Sequence, residues 1–350
     1  MSTSQPIRVL MTGAGAPGGP GIMHALRQNP QIELIIADAN PYASGRAVHT
    51  EFIQIPAASQ PEFVGEMLRI CREKQIQVLL PLVTRELELL SQHVADFRAI
   101  GTSVVVSGSD KLHMANDKAL LMQTLIAANI PVAECYTAHN GAEIEMFAKK
   151  LGYPKKKVCI KPALSNGSRG MRILDAFAGS LASFFEQKPN NTQTTLENVL
   201  HIFGDATLPT MLVMEYLPGE EYTVDALLDN GEPLIILPRK RISMNNGISV
   251  AGEFENSREI IEYATAVFKA TGLHGPNGLQ VKRNENGEFR ILEINPRLQG
   301  STTTALGMGI NLPLLAVQQA IGIDVKSLIP EPRWGLRFTR YYADAWFSET

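Results

Sequence analysis

At 350 residues, with 45% of them apolar and a formal net charge of −3, the chain is too long for one small domain, and its hydrophobic residues suffice to give two or three domains a core each. So small a net charge speaks against a polybasic nucleic-acid or membrane binder. The three cysteines, Cys71, Cys135 and Cys159, are scattered, form no CxxC pair and read as reduced structural thiols. Residues 1–6 run into a strand-like segment without a basic n-region or a long apolar h-region, and no window reaches the ~18 consecutive apolar residues of a membrane helix. No signal peptide is expected, and the chain is expected to be soluble and cytoplasmic.

Strand and helix signals alternate through the first third. Ile7–Met11 is a short apolar run ending in a glycine-rich turn, followed by a predicted helix over Pro17–Gln28. Further strands are predicted at Glu33–Ala37, Phe52–Ile55, Val78–Val83 and Ser103–Val106, with helices over Pro61–Glu73 and Glu86–Phe97. Such alternation implies a parallel sheet covered on both faces, a Rossmann-like domain. A helix over Asn116–Asn129 stops before Ile130-Pro131, because the residue preceding proline disfavours helix. Beyond it the alternation is less regular. Strands are predicted at Ala133–Thr137, Val158–Pro162, Met171–Leu174, Met211–Tyr216, Tyr222–Leu228, Pro233–Leu237, Gly278–Arg283 and Phe289–Ile294. Helices are predicted over Ala142–Lys150, Phe177–Glu186 and Ser257–Thr271, and a polar surface loop over Lys188–Gln193. Turns at Asp229-Asn230-Gly231 and Asn284–Gly287 join hairpins, so the later chain reads as α+β with antiparallel pieces.

Two early motifs suggest a nicotinamide enzyme. Gly13-Ala14-Gly15-Ala16-Pro17-Gly18 fits GxGxxG between strand and helix, and Asp38 ends the next strand, where an acid would hold a ribose. Against that, Pro20-Gly21 disturbs the helix start and nothing downstream resembles a hydride-transfer site. Tyr153-Pro154-Lys155-Lys156-Lys157 matches YxxxK by chance, since Pro154 breaks the helix that would align Tyr and Lys. A turn that shapes a substrate cleft is the better reading of the glycines.

The more informative cluster is near the other end. Glu293-Ile294-Asn295-Pro296-Arg297 closes a strand, and Gln280 sits on the strand before it. Alternate strand residues share a face, so Glu293 and Asn295 project together, with Gln280 across the hairpin. Glu, Asn and Gln offer the hard oxygen donors that suit Mg²⁺ beside triphosphate oxygens, and Arg297 on the same face can neutralise a transferring phosphoryl group. Arg239-Lys240-Arg241 follows the predicted strand at Pro233–Leu237, and alternation puts Arg239 and Arg241 on one face, where either can hold a carboxylate. Gly247–Val250 is read as a loop lining the same cleft.

Glu-x-Asn-Pro-Arg after a Gln-bearing strand resembles the ATP-grasp superfamily, in particular its carbamoyl-phosphate-synthase-like, carboxylate–amine ligase branch. Upstream, Asn116-Asp117-Lys118 and Asn129-Ile130-Pro131-Val132 resemble that family's N-D-K…G-I-P-V segment, with Asn129 in place of the usual glycine at a left-handed cap. Cys159-Ile160-Lys161-Pro162-Ala163, the glycine-rich stretch Ser165–Gly170, Met214–Gly219 and Glu221 resemble further family segments in the same order. The resemblance covers roughly residues 7–325. It implies an N-terminal Rossmann-like domain (1–112), a small ATP-grasp lobe with its entry helix (113–215) and a large lobe (216–350), with ATP between the last two.

By the same resemblance, the metal ligands are Gln280, Glu293 and Asn295, for Mg²⁺ with Mn²⁺ as the alternative ion. The nucleotide contacts are Lys118, Lys161, Ser165, Gly167, Ser168, Arg169, Gly170, Glu215, Tyr216, Leu217 and Glu221, and the catalytic cations are Arg297, Arg239 and Arg241. The activity implied is ADP-forming ligation of a small carboxylate to an amine through an acyl phosphate. The alternatives are carbamoyl- or carboxy-phosphate formation from bicarbonate, an NAD(P)-dependent oxidoreductase, and a non-catalytic nucleotide-binding module. Small-molecule substrates are the expected partners, with no nucleic acid and no membrane, in a chain compatible with a homodimer. Substrate contacts are expected from the loops 13–21, 38–46, 84–86 and 239–250, and the aromatic stretch Trp334–Trp346 is expected to pack on the core or on a second subunit.

Overall fold

The computed structural model describes residues 6–49, 51–165, 167, 169–186, 192–245 and 247–348. The first five strands are β1 (Ile7–Thr12), β2 (Ile32–Asp38), β3 (Phe52–Gln54), β4 (Val78–Leu80) and β5 (Ser103–Val104), all parallel in the order β3-β2-β1-β4-β5. The two-residue alternation of their side chains decides which core each enters. Val9, Met11, Leu34, Ile36, Val78 and Leu80 face one buried cluster, while Leu10, Ile35, Ala37 and Leu79 face another. A sheet buried on both faces explains the near-continuous apolar runs.

The next strands, β6 (Cys135–Ala138), β7 (Val158–Pro162), β8 (Arg172–Leu174), β9 (Gln193–Thr194) and β10 (Met211–Glu215), form a second sheet in the order β6-β10-β7-β8-β9. The last six are β11 (Glu221–Asp229), β12 (Glu232–Asn245), β13 (Ile248–Phe254), β14 (Gly275–Arg283), β15 (Phe289–Asn295) and β16 (Arg337–Thr339), ordered β15-β14-β11-β12-β13-β16. The chain falls into two compact units, residues 1–113, 222–280 and 294–350 in one, 114–221 and 281–293 in the other. It passes from one to the other within β14 and again within β15. Among the described residues no helix is long and apolar enough to cross a membrane.

Several local expectations need correction. The helix predicted over Glu86–Phe97 is two helices, Thr84–Gln92 and Val94–Ala99, because His93 caps the C-terminus of one and the N-terminus of the next. The helix predicted from Asn116 starts at Lys118, where Asp117 accepts from the Ala119 and Leu120 N–H groups at 2.9 and 3.1 Å and so satisfies two orphan donors. Asn129 takes a left-handed conformation, φ 57°, in keeping with the cap read from the sequence. β12 does not stop at Leu237. It carries the whole Arg239–Arg241 triplet, and residues 248–250, read as loop, open β13. Extended pairing over Arg239↔Phe254 and Asn245↔Ile248 keeps that backbone hydrogen-bonded. The polar loop predicted at Lys188–Gln193 lies mostly outside the described residues. In the C-terminal stretch Trp334 and Phe338 pack on the core, whereas Tyr341, Tyr342 and Trp346 are exposed.

In the larger unit the glycine-rich turn after β1 serves close packing. A Cβ on Gly18 would lie 2.9 Å from Gly300 Cα, and one on Gly21 2.7 Å from Thr303 Oγ1. The turn is therefore seated on the segment after β15. Gly18→Leu is expected to destabilise the fold by about 1–3 kcal/mol through overpacking, read as a lower denaturation midpoint in urea.

Candidate active site

In the smaller unit the helix beginning at Lys118 and the strand β7 bring two lysines into one buried region. Lys118 and Lys161 are 6% and 8% exposed. Lys118 Nζ donates to the Ser165 carbonyl at 2.8 Å and lies 3.8 Å from Glu293 Oε2, and Lys161 Nζ donates to the Leu292 carbonyl at 3.0 Å. Burial lowers the Lys118 pKa, Glu293 opposes that shift, and the neighbouring Lys161 charge adds to it. Two ammonium groups thus share one carboxylate and two carbonyls. Such a place favours a multiply charged anion. Glu293 is itself a third exposed, open toward solvent.

Beside the lysines lies an apolar plate of Ala133, Met214, Leu217, Cys135, Cys159 and Leu292. All three cysteines are free thiols, and burial raises the pKa of each. Glu215 pairs with the Glu134 backbone, accepting its N–H at 3.2 Å on Oε1. The ring of Tyr216 takes Lys282 and Lys157 ammonium groups at 5.2 and 5.9 Å from its centroid. Leu217 follows β10 in irregular chain, and its N–H finds no backbone acceptor among the described residues. Glu221 opens β11. In the glycine-rich stretch Ser165 Oγ donates to the Pro162 carbonyl at 3.3 Å, Gly167 and Gly170 both take positive φ, and Arg169 lies beside Gly167. Ser168 lies outside the described residues.

In the larger unit the arginines of β12 part company. Arg239 is fully buried. Its guanidinium makes a 3.0 Å ion pair with Asp225 and donates to the Ser301 carbonyl, Ser301 Oγ and Thr304 Oγ1 at 2.8, 2.9 and 2.6 Å. The rings of Phe254 and Phe338 each lie 5.6 Å away. Burial works to lower the Arg239 pKa, with the Asp225 carboxylate opposing it. A side chain so enclosed positions the Ser301–Thr304 segment. Arg241, two residues on, is half-buried; it donates to Gln280 Oε1 at 3.4 Å and to the Gly247 carbonyl. Arg297 Nε donates to Thr84 Oγ1 at 3.0 Å, and Nη1 to the Leu298 carbonyl at 2.9 Å.

Asp225, absent from the residues singled out in the sequence, is 1% exposed and also accepts from Thr302 Oγ1 at 2.9 Å. A signal existed: its side chain shares a face of β11 with Thr223, whose register partner is Arg239. Gln299 was missed too. Its amide fills the space over Gly278, two residues before Gln280, and Nε2 has no hydrogen-bond partner among the described residues.

Three family models tile almost all of this chain. The PylC-like N-terminal domain matches residues 9–105, the carbamoyl-phosphate synthase L chain ATP-binding domain 117–205, and the ATP-grasp of the biosynthetic pathway with the Ter operon 207–342. The chain belongs to the ATP-grasp superfamily. Among curated relatives, the arginine-specific carbamoyl phosphate synthase large chain of Geobacillus stearothermophilus is 26% identical over 242 residues, 66% of this chain. The ATP-grasp chain spans 21%, 30% and 52% of the length of three such synthase relatives. Its fold is shared with the ADP complex of N5-carboxyaminoimidazole ribonucleotide synthetase (TM-score 0.68, 15% identity, 95% of this chain and 81% of the other). It is also shared with the L-amino acid ligase from Bacillus licheniformis (TM-score 0.63, 14% identity, 91% and 75%).

In the N-terminal turn Asp38, read from the sequence as an acid that would hold a ribose, is engaged by the protein itself. Asp38 Oδ2 accepts the Gly15 N–H at 2.7 Å, so a carboxylate holds a donor that a pyrophosphate would need. Close by, Glu86 is 5% exposed and accepts from Thr12 Oγ1. Burial, opposed by the Thr12 bond and helped by the Asp38 charge, pushes its pKa up to about 7. The folded ATP-grasp chain keeps this proton to about pH 7, whereas the unfolded chain releases it near 4.5, so stability falls as pH rises across that window. Glu86→Gln is expected to gain up to about 3 kcal/mol relative to the parent above pH 7 and little at pH 4.5, measured by urea unfolding at both pH values. Asp225→Leu, which leaves Arg239 buried and unpaired, is expected to cost about 3–5 kcal/mol in the same assay, and adding Arg239→Met is expected to recover most of it.

Proposed function

We propose that this chain is an ADP-forming ATP-dependent ligase that activates a small carboxylate as an acyl phosphate and passes the acyl group to an amine. The observation that carries the reading is the pair of buried ammonium groups, Lys118 and Lys161, beside an apolar plate with an open Leu217 N–H. Adenine fits the plate, with the Leu217 N–H and the Glu215 carbonyl at its edge, Glu221 at the ribose, and the lysines and the Ser165–Gly170 stretch at the phosphates. The donor set Gln280, Glu293 and Asn295, three oxygen ligands with one formal charge, suits Mg²⁺ that keeps substrate phosphate oxygens in its shell. Bound there, Mg²⁺ supplies neutralisation of the charge on the terminal phosphoryl group.

The carboxylate substrate is held by Arg241 and Arg297, and one of its oxygens attacks the γ-phosphorus in line. The P–O bond to ADP breaks as the new one forms, with Lys118, Lys161 and Arg297 spreading the negative charge. The amine then adds to the acyl carbon and phosphate leaves. Arg239 acts by holding the Ser301–Thr304 segment. The alternative acid is bicarbonate; ¹⁸O-labelled bicarbonate and a panel of ¹⁸O-carboxylate-labelled amino acids, each scored for label in phosphate, separate the two.

Glu293→Ala is expected to abolish substrate-dependent ADP formation with an unchanged circular dichroism spectrum, and Lys118→Met to weaken ATP binding roughly 10²-fold by calorimetry. Full activity in the Glu293 variant would remove the metal assignment.

A further inference from the structure

The parallel sheet has its topological switch point between β1 and β4: the chain builds β2 and β3 on one side of β1 and returns to place β4 and β5 on the other. In open α/β sheets ligands bind outside the carboxyl ends of the strands at such a point. Here Thr12 ends β1, and the helix Thr84–Gln92 follows β4 closely. The two residues facing that point from the first turn of this helix are Thr84, which accepts from Arg297, and Glu86, which accepts from Thr12.

Glu86 is 95% buried without a cation. Among the described residues Thr12 donates its one side-chain hydrogen bond, to Oε2, and Oε1 has none. The neighbouring charged group, Asp38 at the end of β2, is a second carboxylate whose two oxygens already accept the Gly15 and Asn40 N–H groups at 2.7 and 2.8 Å. A buried acid next to another acid, with an idle oxygen at the carboxyl end of the sheet, is unfavourable in the free protein and becomes favourable when a cation arrives. Thr84 meanwhile ties Arg297, proposed to hold the carboxylate substrate, to the same helix turn.

We propose that Glu86 receives the ammonium group of the amine substrate and takes its proton. This deepens the ligase reading and rests on it. In the step, Glu86 carboxylate accepts H⁺ from R–NH₃⁺ and becomes the neutral acid. The freed nitrogen lone pair forms the C–N bond at the acyl carbon, and the C–O bond to phosphate breaks with its electron pair going to phosphate. The second amine proton leaves with phosphate, and Glu86 returns its proton to solvent. The class of nucleophile is a primary alkyl amine such as an amino acid, ionised at neutral pH. A base with a pKa of about 7 is matched to that task.

The test uses the full chain with MgATP, the twenty amino acids as acid and amine, and hydroxylamine as a nucleophile that is neutral at pH 7.5 and needs no base. The Glu86→Gln variant is expected to form hydroxamate within about threefold of the parent rate while amide formation falls at least ~100-fold. In the parent, kcat/KM for the amine is expected to rise tenfold per unit up to about pH 7 and then level, and to lose that rise in the variant. Amide formation at the parent rate in Glu86→Gln overturns the assignment, and so does equal loss of hydroxamate and amide. Absence of hydroxamate from the parent with every acid instead overturns the ligase reading on which it rests.

Discussion

The buried ion pair between Asp225 and Arg239 is the constraint around which the larger unit is arranged. Both side chains are buried, so their hydrogen-bonding positions depend on protein, and Ser301, Thr302 and Thr304 answer most of them, leaving Arg239 Nε and Asp225 Oδ2 without a hydrogen bond among the described residues. The segment following β15 is thereby locked onto β11 and β12. On its other side that same segment presents Gly300 and Thr303 to the glycine turn, where Gly18 and Gly21 leave no room for side chains. One charged pair thus ties the N-terminal parallel sheet to the strands that carry Arg241 and Gln280.

Arg297 and Gln299 inherit their placement from this lock. Arg297 reaches Thr84, and Gln299 lies over Gly278 with an amide nitrogen unsatisfied. Rigid support is what a phosphoryl-transfer site needs, because its catalysis comes from positioned charge rather than from a protein nucleophile. The smaller unit meets the same need differently. Its two lysines are held to backbone carbonyls of Ser165 and Leu292, which fix the ammonium groups without neutralising them. Charge is stored there for an incoming anion.

The sequence by itself determined the parallel sheet, because runs such as Ile32–Asp38, buried on both faces, have few other uses. It also pointed to the family, through the proline-stopped helix at Asn129, the lysines and the Glu-x-Asn-Pro-Arg strand end, whose order along the chain carries the resemblance. Local rules settled the Asn129 cap and the hairpin turns. What tertiary structure alone decided is which charges are spent and which are available. Arg239 and Arg241 look alike in sequence, two apart on one strand, yet one is enclosed by Asp225 and two phenyl rings and the other faces Gln280. Asp38 reads as a ribose ligand until the fold brings it to the Gly15 N–H, and Glu86 reads as an ordinary helix acid until Thr12 is beside it. The physical reason is common to all three. Burial and partner choice depend on residues dozens to hundreds of positions away, and no periodicity or spacing rule reaches that far.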